Sequence, residues 1–489
     1  MNVLFAGAEA APFAKVGGLA DVMGSLPKAL RKIGIDARVV LPGFGFINHA
    51  RFNITYLFSF QLPRRVGASE VHVYTTTHDG VPIYFVQAWP YFGQEATVYT
   101  DWEWDMPRYI LFNQIIPALA LELRQRLGWF PDVYHVNDWH TGLVPFLLSQ
   151  NRVNDPETWG SSATMLTIHN MQYQGPLAGG WLFDAGVPGR DQPDLVYQDL
   201  TDNMMAIGLA YSDIITTVSP RYSVEIQYPY AAFGLESLIR SRTPDLYGVL
   251  NGIDLDEWNP DTDPTLVSNF NADNFRKLRA ANKRQLQQDA GLPERDNVPI
   301  IGLVSRLVWQ KGLDIAIPAL RYLLAGMDVQ FVALGSGDPN IELRLGRLAK
   351  DFGWRATAFL SYNAALAQHI YAGCDIFLMP SHFEPCGVGQ MLAMRYGALP
   401  LVRETGGLAD TVQNYDNGPG NRGTGFVFNW ENSDAALNTM RWAVSTYYNR
   451  REAWEQMQER AMRTDFSWDR SAQQYKDLYQ AALDKRKVI

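Results

Sequence analysis

Short apolar, β-branched runs alternate with helix-period segments along almost the whole chain, and the pattern runs through twice. In the first pass Asn2–Ala6, Ala37–Leu41, Asp132–Val136, Thr164–Ile168 and Ile214–Val218 read as strands. Gly18–Ile33, Met106–Leu127, Thr141–Ser149 and Asn203–Tyr211 read as helices between them. Val71–Thr77 and Val81–Gln87 flank Asp79-Gly80, a hairpin turn signal. The second pass has strand patterns at Pro299–Ser305, Val329–Gly335, Thr357–Leu360, Asp375–Met379 and Leu399–Arg403. Its helix patterns are Leu313–Leu324, Asn340–Phe352, Leu366–Ala372 and Gln390–Tyr396. Strands joined through helices must run parallel, so the expected fold class is α/β with two doubly wound parallel sheets.

The break between the passes falls at Asn251-Gly252-Ile253-Asp254, followed by an Asp/Pro/Asn-rich stretch over 254–264. Domains over 1–250 and 251–467 follow, with a long amphipathic helix pattern at Trp468–Leu483 after the last strand. Ligands of doubly wound sheets sit outside the carboxyl ends of the strands, which makes a cleft between the two domains the expected substrate site.

Composition narrows the function classes. With 47% hydrophobic and 19% charged residues the chain is not a disordered one. A net charge of −9 with no basic block argues against a nucleic-acid partner. Two cysteines, Cys374 and Cys386, allow no disulfide framework. There is no signal-peptide or transit pattern and no run of eighteen apolar residues, so a cytoplasmic protein without a membrane partner is expected.

Five loops at strand ends carry the chemistry. Lys15-Val16-Gly17-Gly18-Leu19 leads into a helix at about Ala20. Adjacent glycines permit positive φ and close approach of N–H groups to an anion, and Lys15 adds a full charge. The spacing matches neither the dinucleotide fingerprint nor the P-loop, and a purely structural βα turn stays open. His135-Val136-Asn137-Asp138-Trp139-His140 lacks metal-ligand spacing and reads as a polar strand end for hydroxyl groups. His169 and Asn170 end another strand, where a packed histidine and a ligand contact are both plausible readings. Arg306 and Lys311, in Ser305–Gly312, place two cations at a strand end beside a helix start, as a diphosphate requires. In Ser381–Gln390, Glu384 offers a carboxylate to sugar hydroxyls or to developing positive charge, while Cys386 has no evident histidine partner.

Together these loops resemble the bacterial glycogen synthase and plant starch synthase family, glycosyltransferase family 5. The resemblance rests on Lys15-Val16-Gly17-Gly18-Leu19, His135–Pro145, Val249–Asp254, Ser305–Gly312, Tyr362–Asp375, Phe383–Gly387 and Val402–Val412, in order along the chain. It implies a GT-B fold of two Rossmann-like domains, with the C-terminal helix (about 468–489) returning to the first. It implies transfer of glucose from ADP-glucose to the non-reducing 4-hydroxyl of an α-1,4-glucan or maltooligosaccharide, with retention and without metal or cofactor. Position by position, Lys15, Arg306 and Lys311 would hold the diphosphate, and Tyr362 would stack on adenine. Glycine loops that include Gly17, Gly18, Gly387 and Val388 would lend backbone N–H groups. Asp138, Asn170 and Glu384 would bind glucosyl hydroxyls, His169 would sit beside the anomeric carbon, and Cys386 would line the donor pocket.

The chain departs from the family pattern at His382, where arginine is usual, and at Val388-Gly389, where a Leu-Thr pair or similar is usual. Two other readings stay open at this point: the same fold using UDP-glucose or another acceptor, and a non-catalytic glucan-binding or priming protein.

Overall fold

The computed structural model describes residues 1–361, 363–416 and 422–488. The chain divides into two compact units, Met1–Gly252 with Trp468–Ile489, and Ile253–Ser467.

Among the described residues, unit 1 holds a nine-stranded sheet. Its strands are β1 (Asn2–Ala6), β2 (Asp36–Pro42), β3 (Thr55–Pro63), β4 (Ala68–His78), β5 (Val81–Gln87), β6 (Val133–Asn137), β7 (Ala163–Ile168), β8 (Ile214–Thr217) and β9 (Leu246–Gly248). The order is β3-β4-β5-β2-β1-β6-β7-β8-β9. β1 pairs in parallel with β2 on one side and β6 on the other, for example Val3 with Ala37 and with Val133. That reversal of direction puts the topological switch point at the carboxyl ends of β1 and β6. β3, β4 and β5 form an antiparallel extension. The β4–β5 turn has Asp79 and Gly80 both at positive φ, 48° and 77°, as a two-residue hairpin of this hand requires.

Among the described residues, unit 2 has a six-stranded parallel sheet: β10 (Ile300–Val304), β11 (Gln330–Leu334), β12 (Ala356–Phe359), β13 (Ile376–Met379), β14 (Leu399–Arg403) and β15 (Phe426–Phe428). The order β12-β11-β10-β13-β14-β15 puts its switch point between β10 and β13. All its interior strands are buried on both faces, which explains their continuous apolar runs.

The C-terminal helix Trp468–Val488 belongs to unit 1. Tyr479, fully buried, meets His135 Nδ1 on β6 at 2.7 Å, and His135 Nε2 lies 2.6 Å from Thr167 Oγ1 on β7. At the far end Lys485 pairs with Asp245 and donates to the Asp213 carbonyl, and Arg486 pairs with the Asp213 carboxylate.

Several boundaries differ from the sequence reading. The helix expected from Met106 starts at Trp102, because Asp101 caps it by accepting the Trp104 N–H at 3.0 Å. The pattern at Thr141–Ser149 is a 3₁₀ turn, Trp139–Thr141, followed by a helix Val144–Asn154 that starts where Pro145 suits its first turn. β3, β15 and the helices Phe275–Asp289, Ser433–Asn449 and Arg451–Arg463 had no counterpart in that reading, and 185–201 contains the short helix Pro193–Tyr197.

Candidate active site

In unit 1 the loops after β1, β6 and β7 carry the polar groups. The carboxylate of Glu9, 3% exposed, organises the first of them. Its Oε2 accepts the backbone N–H groups of Val16 at 2.8 Å and Gly17 at 2.7 Å, and its Oε1 accepts the Tyr99 hydroxyl at 2.5 Å. Burial, and then the Glu9 charge, push the Tyr99 phenol well above its ordinary range, so it donates this proton and does not lose it. The glycine loop does not use the left-handed freedom its glycines permit: Gly17 lies at φ −137°, Gly18 is not in the left-handed region either, and the amides of Val16 and Gly17 are turned onto Glu9. Gly18 is exposed and begins the helix Gly18–Lys32. Lys15 is exposed and pairs with Asp21 at 2.6 Å.

Asp138 follows β6 with φ +56° and ψ −174°, outside the left-handed helical basin and rarely adopted by a residue with a side chain, a strained backbone at the strand end. Its Oδ1 accepts the His169 N–H at 2.7 Å. Burial pushes its carboxyl up to about 7 against the pull of the His169 and Asn170 amides, with the Glu9 charge adding to the rise. The His169 ring donates from Nε2 to Asn137 Oδ1 at 2.9 Å. That direction follows because Asn137 Nδ2 is spent on the carbonyls of Ala6 and His135. Burial lowers His169 to about 3, so the ring is neutral at physiological pH and its Nδ1 is an acceptor. Asn170 folds its own Oδ1 onto the Gln172 N–H at 3.0 Å. Aromatic rings flank the site: Tyr99 and Trp139 lie 5.2 and 4.1 Å from His140, and half-exposed Trp102 lies 5.7 Å from Trp139.

In unit 2 the loops after β10 and β13 meet at the switch point. Lys311 Nζ sits 2.9 and 2.7 Å from the two oxygens of Glu384, with side chains 18% and 7% exposed. Ser381 Oγ donates to Glu384 Oε2 at 3.0 Å. Gly312 makes the approach possible: it lies at φ +68°, and a Cβ there would come 2.1 Å from the Pro380 carbonyl. Gly406 plays the same part behind Glu384, at φ +44° with a would-be Cβ 1.9 Å from the Glu384 carbonyl. Arg306 is exposed at the end of β10. Cys386 is buried and Gly387 lies at φ +73°. Gln390 Nε2 donates to the carbonyls of Cys386 and Gly387 at 3.1 and 3.0 Å. Val388 precedes the helix Gly389–Arg395. Tyr362 lies outside the described residues. Among the described residues no group of three or more His, Cys, Asp and Glu side chains could hold a metal ion, and no helix is long and apolar enough to cross a membrane.

The structure therefore brings together Asp138, His169 and Asn170 in unit 1, and Lys311, Glu384 and Cys386 in unit 2. Sequence reasoning missed Glu9, Tyr99, Asn137 and Ser381. An acidic residue inside the apolar run after β1, Ala8-Glu9-Ala10-Ala11, was the one signal that pointed at Glu9.

Comparison with known proteins accounts for the whole chain. A family profile described as starch synthase catalytic domain matches residues 2–241, and one described as glycosyl transferases group 1 matches 284–461. The glycogen synthase of Streptococcus sanguinis is 42% identical over 99% of this chain and 100% of its own length. This chain belongs to the glycogen and starch synthase family. Glycogen synthase 1 of Geobacter sulfurreducens is 40% identical over 99% of this chain and 97% of its own. In structure, the catalytic domain of starch synthase IV from Arabidopsis thaliana, bound to ADP and acarbose, superposes with a TM-score of 0.87 at 32% identity, covering 99% of each chain. The two sheets, parallel around their switch points, are the GT-B architecture of this family of glycosyltransferases.

Proposed function

We propose that the chain is an ADP-glucose-dependent glucan synthase that adds glucose, with retention of configuration, to the non-reducing 4-hydroxyl of an α-1,4-glucan or maltooligosaccharide in the cytoplasm. The observation that carries this reading is the Lys311–Glu384 pair, a cation and a carboxylate held side by side by Ser381 where two parallel strands diverge. Breaking a glycosyl–phosphate bond builds negative charge on the departing diphosphate and positive charge on the sugar. Lys311 and Arg306 stabilise the first, with Lys15 a further cation, and Glu384 faces the second or the hydroxyl groups beside it. Cys386, Gly387 and Val388 line the donor side, Gly17 and Gly18 leave room for substrate at Lys15, and Tyr362 stacks on the adenine.

Neutral His169 cannot serve as a cation or as a general acid at physiological pH. Its Nδ1 accepts a hydrogen bond from a glucosyl hydroxyl, as do Asp138 and the exposed edge of Asn170. The diphosphate is already a good leaving group, so a carboxyl pair of the glycosidase kind is not needed. Support for the donor and acceptor classes comes from the Arabidopsis relative, which holds ADP and acarbose. The deciding measurement is ADP and UDP release from the corresponding glucose donors, with and without glycogen or maltooligosaccharide. Glucan-dependent ADP release is expected. Preference for the uridine donor overturns the donor assignment, and silence with both donors from a protein that still binds glucan overturns catalysis.

A further inference from the structure

The ring of His382 sits between two carboxylates, one in the first turn of a helix and one after a strand. Its Nδ1 is 2.5 Å from Glu431 Oε1 and its Nε2 is 2.9 Å from Asp314 Oδ1, while the side chain itself is only 7% exposed. A carboxylate oxygen accepts and does not donate. Both contacts are hydrogen bonds only when both ring nitrogens carry protons, which describes the imidazolium and not either neutral tautomer. Trp309 covers the ring at 4.3 Å with the planes 12° apart, an arrangement that favours a cation under the indole face.

The residues tied by this ring are those around the donor site. Asp314 lies in the first turn of the helix Leu313–Gly326, three residues after Lys311. His382 is two residues before Glu384 and takes its own backbone bond to the Gln310 carbonyl, at 2.9 Å. Gln310 in turn donates to the Phe383 carbonyl at 3.2 Å. Glu431 follows β15 and is also 3.7 Å from Arg403. The charged groups facing the ring are therefore Asp314 on one helix, Glu431 after β15 and Arg403 at the end of β14. Arg403 donates to the carbonyls of Ser381 and His382 whatever the state of the ring.

The geometry points to His382 as a positioning residue: its doubly protonated ring fastens the loop that carries Lys311 to the loop that carries Glu384, and donor affinity falls when the ring loses a proton. This rests on the reading of Lys311 and Glu384 as the donor site. Because Arg403 keeps the Ser381–His382 backbone in place, deprotonation loosens the pair of loops and does not collapse it. The neutral ring turns a lone pair toward one carboxylate, and the link to one loop is lost.

The test is calorimetric titration of ADP into the full chain at a series of pH values from acid to alkaline. Three proteins are compared: the wild type, His382→Arg, which stays charged throughout, and His382→Gln, which is never charged. ADP itself takes up protons in this range, and dividing wild type by His382→Arg removes that contribution. The wild-type dissociation constant is expected to rise about 10-fold or more relative to His382→Arg between the two ends, the loss of one charged hydrogen bond. His382→Gln should bind weakly at every pH. A second readout needs no ligand: indole emission that brightens as pH rises in the wild type, and does neither in Trp309→Phe nor in His382→Arg. A wild-type to His382→Arg ratio that stays constant, or His382→Gln binding that tracks the wild type, overturns the role of His382 while the donor site stands. Absence of ADP binding by all three proteins at every pH overturns the donor site and the proposal with it.

Discussion

Asp138→Asn tests the electrostatics of unit 1 directly. The carboxyl is buried behind β6, and its folded-state value of about 7 stands some three units above the 3.8 of a solvated aspartate. Since the folded value is the higher one, the native state keeps a proton that the unfolded chain releases between about pH 4 and pH 7. The stabilisation is fully present below about pH 4 and is lost as pH rises through about 7, where the buried charge must form. Three units correspond to about 4 kcal/mol. Asparagine preserves the acceptor for the His169 N–H, now 2.7 Å from Oδ1, and has no charge to form. Wild type should therefore lose about 4 kcal/mol relative to Asp138→Asn between acid and neutral pH. Native-state hydrogen exchange of the β6 and β7 amides, corrected for the intrinsic rate, reports unit 1 by itself. Curves for the two proteins that stay parallel within about 1 kcal/mol would refute the argument that burial governs this carboxyl.

Other consequences are as direct. Glu384→Gln should lower turnover at saturating donor by about 100-fold, the usual cost of removing a preorganised electrostatic partner; unchanged turnover removes Glu384 from the machinery. In unit-2 unfolding, Glu384→Gln and Lys311→Met should each destabilise, and the double variant should cost about 2 kcal/mol less than their sum, because each single change strands a largely buried charge. Gly312→Ala meets both a positive φ and the Pro380 carbonyl, so thermal unfolding should move down by several degrees, about 2 kcal/mol or more, whereas Gly326→Ala, with open space around it, should be neutral or mildly stabilising. Arg486→Ala takes from Asp213, with a side chain 4% exposed, its nearest cation, leaving the carboxylate on the Thr164 N–H and hydroxyl and the more distant Arg152, and should cost about 3 kcal/mol; Lys487→Ala, at 70% exposure, should stay within about 0.5 kcal/mol by the same thermal assay.

Strand ends were legible in the sequence because the change from period 2 to period 3.6 is local, and functional loops of doubly wound sheets sit at those ends. Asp138, His169, Lys311 and Glu384 could be picked out on that ground alone. Glu9 could not, since its meaning depends on Tyr99, 90 residues further on, and on amides that only the folded loop turns toward it. The same holds for His382, whose partners are 68 and 49 residues away. The path of Gly17-Gly18 was open for a related reason: a doublet of glycines permits a left-handed turn without requiring one, and Glu9 holds this backbone at Gly17 in an extended conformation. β3 escaped notice although Phe58, Phe60 and Leu62 alternate with Ser59, Gln61 and Pro63, the period-2 pattern of a half-buried strand, and the buried set faces inward where the strand pairs with β4.

The return of the C-terminal helix to unit 1 has a consequence for the order in which the molecule can be built. His135 and Tyr479 are 344 residues apart, with all of unit 2 between them. Unit 2 is contiguous in the chain and has every one of its strands as soon as residue 467 has been made. Unit 1 is begun first and finished last: until residues 468–486 emerge, β6 lacks the hydroxyl that meets its buried imidazole, and Asp213 lacks Arg486. During synthesis the first-made sheet must wait, one face uncovered, while the second domain forms between its two parts, and this is the interval in which chaperone binding to the unfinished unit has the most to protect.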